Sequence, residues 1–370
     1  MSFSTFDYQC MANALQLARL GLKTSHPNPR VGCVISLDGK VVGSGWHKKT
    51  GEAHAEINAL REAGDKAEGA TAYVTLEPCS HHGRTPPCVE ALINAKIARV
   101  VFAIEDPNPD VNGSGRQRLL DAGIEVQSGL MAAQAEEINA GFIKRMSQGR
   151  PWVRIKLAQS LDGHIGLANG ESQWISGPEA RADVQNWRAR ADVILTGIGT
   201  VLADDPSLNV RNDKNARQPM RVIVDSHWRT PANARLLTLP GKVLIAGLNE
   251  IPEALKETGA ECLVLPSSEG RVDLQALLAE LGKRGFNEVQ VEAGATLCGT
   301  LIQLGLADEL LIYQAPIILG GGAISPFAAP RLDNMEDRVH LEWIDSRRIG
   351  KDLRLRLKPL EVSQSCLQES

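Results

Sequence analysis

The chain has 370 residues, the length of two ordinary domains at roughly 100–200 residues each. Hydrophobic residues make up 43% and charged residues 23%, as in soluble globular proteins, and no basic block typical of nucleic-acid binding is present. The net charge of −4 therefore favours a small molecule over nucleic acid as the partner.

Three features bear on where the protein acts. The first ten residues carry neither the basic nor the apolar region of a secretory signal. The longest uncharged run, residues 310–330, is interrupted by prolines and glycines, so it predicts a strand and a loop rather than a membrane span. Seven cysteines, an odd number in a long chain, favour a reducing compartment. We expect a cytoplasmic protein without membrane contact. The sequence leaves the oligomeric state open, with a homo-oligomer as one option.

The first half alternates predicted helices and strands. Helical spacing of apolar residues predicts a helix over 7–22, and Asp38-Gly39 between two apolar runs predicts a type I′ hairpin. This alternation predicts a mainly parallel sheet covered by helices, then a linker at 147–151. The remaining helices are predicted at 53–63, 89–95, 116–122 and 132–145, and the remaining strands at 71–76, 99–104 and 124–127.

A second α/β series follows the linker. The motifs G-x-G-x-x-G and G-x-S-x-G are absent, which argues against a Rossmann dinucleotide site and against a common hydrolase. Gly294 lies between a predicted strand and a predicted helix, whose free N–H groups would suit a phosphate. Strands are predicted at 153–157, 193–196, 221–224, 242–246, 262–265, 288–291 and 309–313, and helices at 178–190, 274–284 and 296–305.

His54, Glu56, Cys79 and Cys88 form the group with the clearest chemistry. A catalytic zinc ion takes three protein ligands and leaves one position for water, and one imidazole with two thiolates supplies those three. Glu56 would then take a proton from water and pass it to the leaving ammonia. The pattern matches the H-x-E…P-C-x-x-C signature of nucleobase deaminases, except that eight residues separate the two cysteines.

That longer loop indicates a particular family. The stretch Thr75–Cys88, TLEPCSHHGRTPPC, together with His54-Ala55-Glu56, resembles the bacterial bifunctional deaminase–reductases of riboflavin biosynthesis. The resemblance runs from about Phe6 to about Lys358. It implies deamination of 2,5-diamino-6-ribosylamino-4(3H)-pyrimidinone 5′-phosphate. It further implies that NADPH reduces the ribosyl chain of the product, 5-amino-6-(5-phosphoribosylamino)uracil, to ribityl. The other segments that show the family resemblance are 26–29, 31–32, 105–109, 155–163, 170–175, 200–206 and 224–226.

For residues 1–147 the resemblance implies a cytidine-deaminase-like, three-layer α/β/α domain that binds one zinc ion per chain. Many members of the family carry lysine where this chain has Arg84, and the positive charge is preserved. The implied roles are zinc ligation by His54, Cys79 and Cys88, proton transfer by Glu56, pyrimidine binding by Asn28 and His81, and phosphate binding by Arg84.

For residues 151–362 the resemblance implies an α/β domain similar in fold to dihydrofolate reductase. The implied NADPH contacts are Ala158, Trp174, Thr200, Asp204, Ser226, Gly294, Ala295 and Thr296. The implied substrate contacts are Ser172, Arg188, Leu208, Arg211 and Glu292. Two residues, Lys156 and Glu292, are the candidates for the proton donor of the reduction.

Several alternatives remain open at this point. His81 or His82 would add a fourth ligand if the zinc site were structural. A salvage deaminase whose second domain only binds a ligand, and a zinc-stabilised assembly protein without catalysis, are the other classes of function. Without the family resemblance, Trp174 would be interpreted as a core residue and Arg188 as a surface charge on a helix.

Overall fold

A computed structural model describes residues 3–80, 87–108, 113–213 and 216–360. The chain separates into two compact units, Met1–Arg150 and Pro151–Ser370. Each has its own apolar core. None of the helices in the described ranges combines the length and the apolar character that a membrane span needs.

Unit 1 is built on a five-stranded sheet in the order β2-β1-β3-β4-β5. The hairpin β1–β2 and the pair β1–β3 are antiparallel, whereas β3–β4 and β4–β5 are parallel. The strands are β1 (Gly32–Leu37), β2 (Lys40–Trp46), β3 (Thr71–Val74), β4 (Arg99–Phe102) and β5 (Glu125–Ser128). The helices are α1 (Thr5–Leu20), α2 (Ala55–Ala63), α3 (Cys88–Asn94), α4 (Ser114–Asp121) and α5 (Ala132–Gln148).

Two glycines let helices approach this sheet from opposite sides. A Cβ on Gly32 would lie 2.0 Å from the Ala14 carbonyl oxygen of α1, and one on Gly45 would lie 2.5 Å from the Ala55 carbonyl oxygen of α2. Gly32 pairs with Trp46, so Gly45, one residue away, faces the other side of the sheet. The sheet therefore lies between α1 and α2, and α2 is held close to β2, where the first site is built.

Unit 2 is built on a nine-stranded sheet in the order β10-β9-β8-β7-β13-β6-β14-β16-β15, and β11 and β12 form a separate two-stranded antiparallel sheet. The strands are β6 (Trp152–Gln159), β7 (Val193–Gly197), β8 (Met220–Val224), β9 (Val243–Gly247), β10 (Glu261–Val264), β11 (Ser267–Ser268), β12 (Arg271–Val272), β13 (Glu288–Val291), β14 (Glu309–Gln314), β15 (Leu341–Ile349) and β16 (Asp352–Pro359). The helices are α6 (Pro178–Arg190), α7 (Ile198–Asp204), α8 (Arg235–Thr238), α9 (Glu253–Lys256), α10 (Leu274–Lys283) and α11 (Ala295–Gln303).

In the nine-stranded sheet, the seven neighbouring strands β10, β9, β8, β7, β13, β6 and β14 run parallel. The hairpin β15–β16 adds two antiparallel strands beside β14. Helices cover both faces, as a parallel sheet requires. On one face, leucines of α10 and α11 pack on β6, β7 and β13. On the other face, Val184 and Trp187 of α6 pack on Leu311 and Tyr313 of β14.

The mainly parallel sheet predicted for the first half is wrong for unit 1, because two of its four strand pairings are antiparallel. The hairpin turn at Asp38-Gly39, where both residues have positive φ, forces β2 antiparallel to β1, and β1 also pairs antiparallel with β3. The helix predicted at 53–63 begins at Ala55, because His54 has extended backbone angles and caps it. The sequence patterns missed α7 and the hairpin β15–β16 altogether.

Candidate active sites

Three elements of unit 1 bring His54, Cys79 and Cys88 together. His54 caps α2, Cys88 is the first residue of α3, and Cys79 lies in the loop after β3. The His54 Nδ1 atom is 3.2 Å from the Cys88 Sγ atom and 3.6 Å from the Cys79 Sγ atom. Within the described ranges this is the only trio of potential ligands whose donor atoms all lie within 4.8 Å of one another.

The charge state of the two sulfurs suits a cation. The Cys88 thiol donates to the Cys79 sulfur and, against the effect of burial, lowers the pKa of Cys79 to about 4. The backbone N–H of Cys88, at the start of α3, donates to the same sulfur at 3.3 Å. The hydrogen bond between the two sulfurs, together with burial, raises the pKa of Cys88. One imidazole and two sulfurs that share a proton form a donor set that fits a tetrahedral zinc ion with one open position.

Glu56 lies in the first turn of α2 and is 3% exposed. Burial, together with the negative charge of Cys79, raises the pKa of this carboxyl group to about 7. The Cys88 thiol is hydrogen-bonded to it. A buried carboxyl group therefore lies directly against the ligand cluster without belonging to it.

His47 is a residue of this site that the sequence analysis missed. The Asn28 Nδ2 atom lies 3.1 Å from His47 Nε2, and His47 Nδ1 lies 3.3 Å from the Ala53 carbonyl oxygen. The ring centroids of His47 and His54 are 5.3 Å apart with the planes at 83°. Burial lowers the pKa of His47, which suits a neutral ring that accepts from Asn28. His47 thus connects Asn28 to the ligand cluster. The only feature of the sequence that could have indicated this role is its position directly after β2.

Glu77 is the second missed residue, and it supports the loop that carries Cys79. Its buried carboxylate accepts hydrogen bonds from the backbone N–H groups of Asp106, Gly113 and Arg116 at 3.0–3.1 Å. These bonds tie the residues before Cys79 to the start of α4. The predicted substrate residues His81 and Arg84, and the alternative ligand His82, lie outside the described residues.

Unit 2 contains a cavity of about 1860 Å³ at the carboxyl ends of its parallel strands. Open α/β sheets bind ligands at this edge. Every reductase contact that the resemblance implies lines the cavity, namely Ala158, Ser172, Trp174, Arg188, Thr200, Asp204, Leu208, Arg211, Ser226, Glu292, Gly294, Ala295 and Thr296.

A bidentate ion pair forms one wall of this cavity. Arg188 donates from Nε and Nη2 to the two carboxylate oxygens of Glu292 at 2.7 and 2.8 Å. Burial alone would raise the pKa of Glu292, but the charge and the hydrogen bonds of Arg188 lower it to about 2. Lys156 and Arg211 line the same cavity, and burial lowers the pKa of each. No acidic partner of Arg211 occurs among the ion pairs of the described residues.

The other end of the cavity suits a nucleotide. Helix α11 begins at Ala295, Gly294 precedes it, and no side chain in the described part of the chain caps it. A Cβ on Gly294 would meet nothing within 4 Å, so the approach to these N–H groups is open. The Ser226 hydroxyl oxygen accepts the Val272 N–H at 3.0 Å, and Arg229 is exposed on the same rim.

Two alternative interpretations of the sequence are wrong. Trp174 is not a core residue, because it is 68% exposed on the cavity wall with the Arg181 guanidinium 4.6 Å from its ring. Arg188 is not a surface charge, because it is 9% exposed and bound to Glu292.

Comparison with known proteins gives the same division of the chain. The family model for the cytidine and deoxycytidylate deaminase zinc-binding region matches residues 4–104, and the model for the RibD C-terminal domain matches residues 151–355. The second match argues against a salvage deaminase whose second domain only binds a ligand.

Relatives match over nearly the full length. The riboflavin biosynthesis protein RibD of Escherichia coli K12 is 49% identical over 363 residues, covering 95% of this chain and 99% of its own. The structure of Acinetobacter baumannii RibD is 45% identical with a TM-score of 0.89, over 96% of this chain and 99% of that one. A diaminohydroxyphosphoribosylaminopyrimidine deaminase/5-amino-6-(5-phosphoribosylamino)uracil reductase from Thermotoga maritima is 30% identical with a TM-score of 0.86, over the same shares. This chain therefore belongs to the RibD family, the bifunctional deaminase–reductases of riboflavin biosynthesis.

Proposed function

We propose that residues 1–147 deaminate 2,5-diamino-6-ribosylamino-4(3H)-pyrimidinone 5′-phosphate, and that residues 151–362 then reduce the ribosyl chain of 5-amino-6-(5-phosphoribosylamino)uracil with NADPH. The observation that carries the first half is a buried carboxyl group, Glu56, against a cluster of one imidazole and two sulfurs. The Thermotoga maritima relative carries both activities in its name. Reduced thiols as metal ligands suit the cytoplasm as the place of action.

In the deaminase half, His54, Cys79 and Cys88 hold one zinc ion per chain. When bound, zinc supplies Lewis acidity that makes a water molecule nucleophilic near neutral pH. Glu56 takes the proton from that water and delivers it to the departing amino group, because its carboxyl group lies beside the cluster and is shielded from bulk solvent.

Substrate contacts in this half follow from the surroundings of the cluster. Asn28, fixed by His47, offers its side-chain carbonyl oxygen to a ring N–H or amino group of the pyrimidine. We propose that His81 and Arg84 complete the binding of the ring and of the phosphate, since a guanidinium fork matches a phosphate.

In the reductase half, NADPH supplies the hydride when bound. Its phosphates would meet the start of α11 at Gly294, Ala295 and Thr296, where free N–H groups favour anions. Ser226 and Arg229 offer a hydroxyl and a cation for the 2′-phosphate that separates NADPH from NADH. The remaining cofactor contacts are proposed to be Ala158, Trp174, Thr200 and Asp204.

The substrate of the reduction is proposed to lie against Arg188, Arg211 and Glu292. Because two donors of Arg188 are engaged by Glu292, we assign the phosphate to the neighbouring guanidinium of Arg211. The Arg188–Glu292 pair then fixes a carboxylate toward the sugar chain, with Lys156 and Glu292 as the candidate groups for proton transfer. Ser172 and Leu208 complete this part of the cavity wall.

The experiment is to replace both sulfur ligands. A Cys79→Ser, Cys88→Ser double variant should lose zinc and ammonia release together, since serine is a poor zinc ligand. A Cys33→Ser variant, at a buried cysteine outside the trio, is the control and should retain zinc. Full zinc content in the double variant, or active wild-type protein without zinc, would contradict the proposal.

A further inference from the structure

The segment of unit 2 that carries Arg211 is held by side chains rather than by regular secondary structure. It lies between α7 and β8, and both Leu208 and Arg211 line the cavity. Leu208 is 3% exposed and has a φ of 47°, in the left-handed region that a leucine rarely adopts. A backbone conformation of this kind persists only where the surrounding contacts fix it. We call residues 208–211 the arginine loop.

Two side chains of α6 hold the backbone of the arginine loop. The Gln185 side-chain oxygen accepts a hydrogen bond from the Arg211 N–H at 2.9 Å, and Arg188 donates from Nη1 to the Asn209 carbonyl oxygen at 3.1 Å. Gln185 and Arg188 are three positions apart on the helix, so their side chains lie on the same face. The helix that carries the Arg188–Glu292 pair therefore also holds the backbone of Arg211.

A second glutamine holds the residue before Arg211. The Gln218 side-chain oxygen accepts from the Val210 N–H at 2.9 Å, and its side-chain nitrogen donates to the Val210 carbonyl oxygen at 3.0 Å. One amide thus satisfies both backbone groups of a residue that has no strand partner. Unlike Gln185, Gln218 is not among the residues that line the cavity. It can therefore affect a ligand in the cavity only through the arginine loop.

The side chain of Arg211 has no comparable support. In the described part of the chain its guanidinium forms no hydrogen bond or ion pair, and the residue is exposed. Partial burial and the positive charge of Arg188 lower the pKa of Arg211, so its charge is not fully compensated within the protein and an anion would compensate it. A long side chain without partners is placed only as well as the backbone that carries it. The position of this cation in the cavity thus depends on the hydrogen bonds of the loop.

We propose that Gln185 and Gln218 are positioning residues for Arg211, and that the loop they hold gives the reductase its preference for a substrate with a 5′-phosphate. This inference rests on the proposed function, in which Arg211 binds that phosphate. The two amides keep the loop in the binding conformation before the substrate arrives. Without them only a fraction of the molecules presents Arg211 correctly, and the apparent dissociation constant rises by the inverse of that fraction. Bound substrate selects the competent loop, so kcat is unchanged.

Steady-state kinetics of the full-length protein test the proposal, with 5-amino-6-(5-phosphoribosylamino)uracil and the same compound without its phosphate as substrates. Gln218→Leu removes both bonds to Val210 and should raise KM for the phosphorylated substrate about tenfold, as the loss of two hydrogen bonds implies. KM for the unphosphorylated compound, KM for NADPH and kcat should not change. Gln314→Leu is the control, because Gln314 is also partly exposed but bonds the Leu161 carbonyl oxygen instead. A loss of stability alone would lower kcat for both substrates equally.

Two more variants separate this inference from the assignment on which it rests. Gln185→Leu removes one hydrogen bond of the loop instead of two and should raise KM for the phosphorylated substrate about threefold. Arg211→Met should abolish the preference for the phosphorylated compound. If Arg211→Met loses the preference while both glutamine variants keep it in full, the positioning role is refuted and the phosphate assignment stands. If Arg211→Met keeps the preference, the assignment and the inference are both wrong.

Discussion

Replacing Glu56 with glutamine removes the proposed proton carrier and changes little else. Glutamine has nearly the same volume and keeps a polar group that can form hydrogen bonds, but it cannot take up a proton. General acid–base catalysis is worth about 10²–10⁴-fold, so Glu56→Gln should slow deamination by at least that factor, or roughly 3–5 kcal/mol in the barrier. The free energy of unfolding should fall by no more than about 1 kcal/mol, the value of one hydrogen bond.

The assay measures ammonia release, NADPH oxidation and zinc content in the same preparation. Glu56→Gln should fail to release ammonia from the diaminopyrimidinone phosphate. It should still oxidise NADPH when given the deaminated product, and it should retain zinc. Glu52→Gln is the matched control, because Glu52 precedes the same helix but is exposed. Near-normal deamination by Glu56→Gln would refute the proton-transfer role, and loss of both activities with zinc retained would show that the two halves are not independent.

Three further predictions concern metal, cofactor and pH. The wild type should contain about one zinc ion per chain by elemental analysis, from the count of three ligands. Arg229→Ala should raise KM for NADPH about tenfold and leave KM for NADH unchanged, which steady-state kinetics with both cofactors would check. The pKa of Glu292 is about 2 in the folded protein and near 4.5 in the unfolded chain. Ionised Glu292 therefore stabilises the fold above pH 4.5, and this stabilisation is lost as the pH falls toward 2. The wild type should therefore lose up to about 3 kcal/mol relative to Glu292→Gln over that range in urea unfolding, and a constant difference would contradict this.

Local patterns were sufficient for much of the fold and for finding the three side chains of the potential metal-ligand cluster. The predicted type I′ turn at Asp38-Gly39 agrees with positive φ at both residues, and α6 has the predicted bounds Pro178–Arg190. The trio of His54, Cys79 and Cys88 was predictable because metal chemistry restricts both residue type and number. The hairpin β15–β16 was not, because β15 is exposed on both faces and so lacks the alternation of apolar and polar residues that marks a strand.

Contacts between residues far apart in the chain could not be predicted from the sequence. Arg188 and Glu292 are 104 positions apart, and only the pairing of β13 with its neighbours brings Glu292 to the helix that carries Arg188. The hydrogen bond of Asn28 to His47 likewise depends on how β2 meets the loop before β1. The antiparallel start of the unit 1 sheet was missed because alternating strands and helices usually indicate parallel strands, and here a hairpin opens the series.

The central claim is that one chain carries out two successive reactions on a phosphorylated pyrimidine. The direct measurement is incubation of the wild type with the diaminopyrimidinone phosphate, with ammonia and NADPH followed separately. Ammonia should appear with or without NADPH, and NADPH should be oxidised only after ammonia is released, reaching one equivalent per ammonia. Oxidation of NADPH before any ammonia appears, or ammonia release without later oxidation, would contradict the claim.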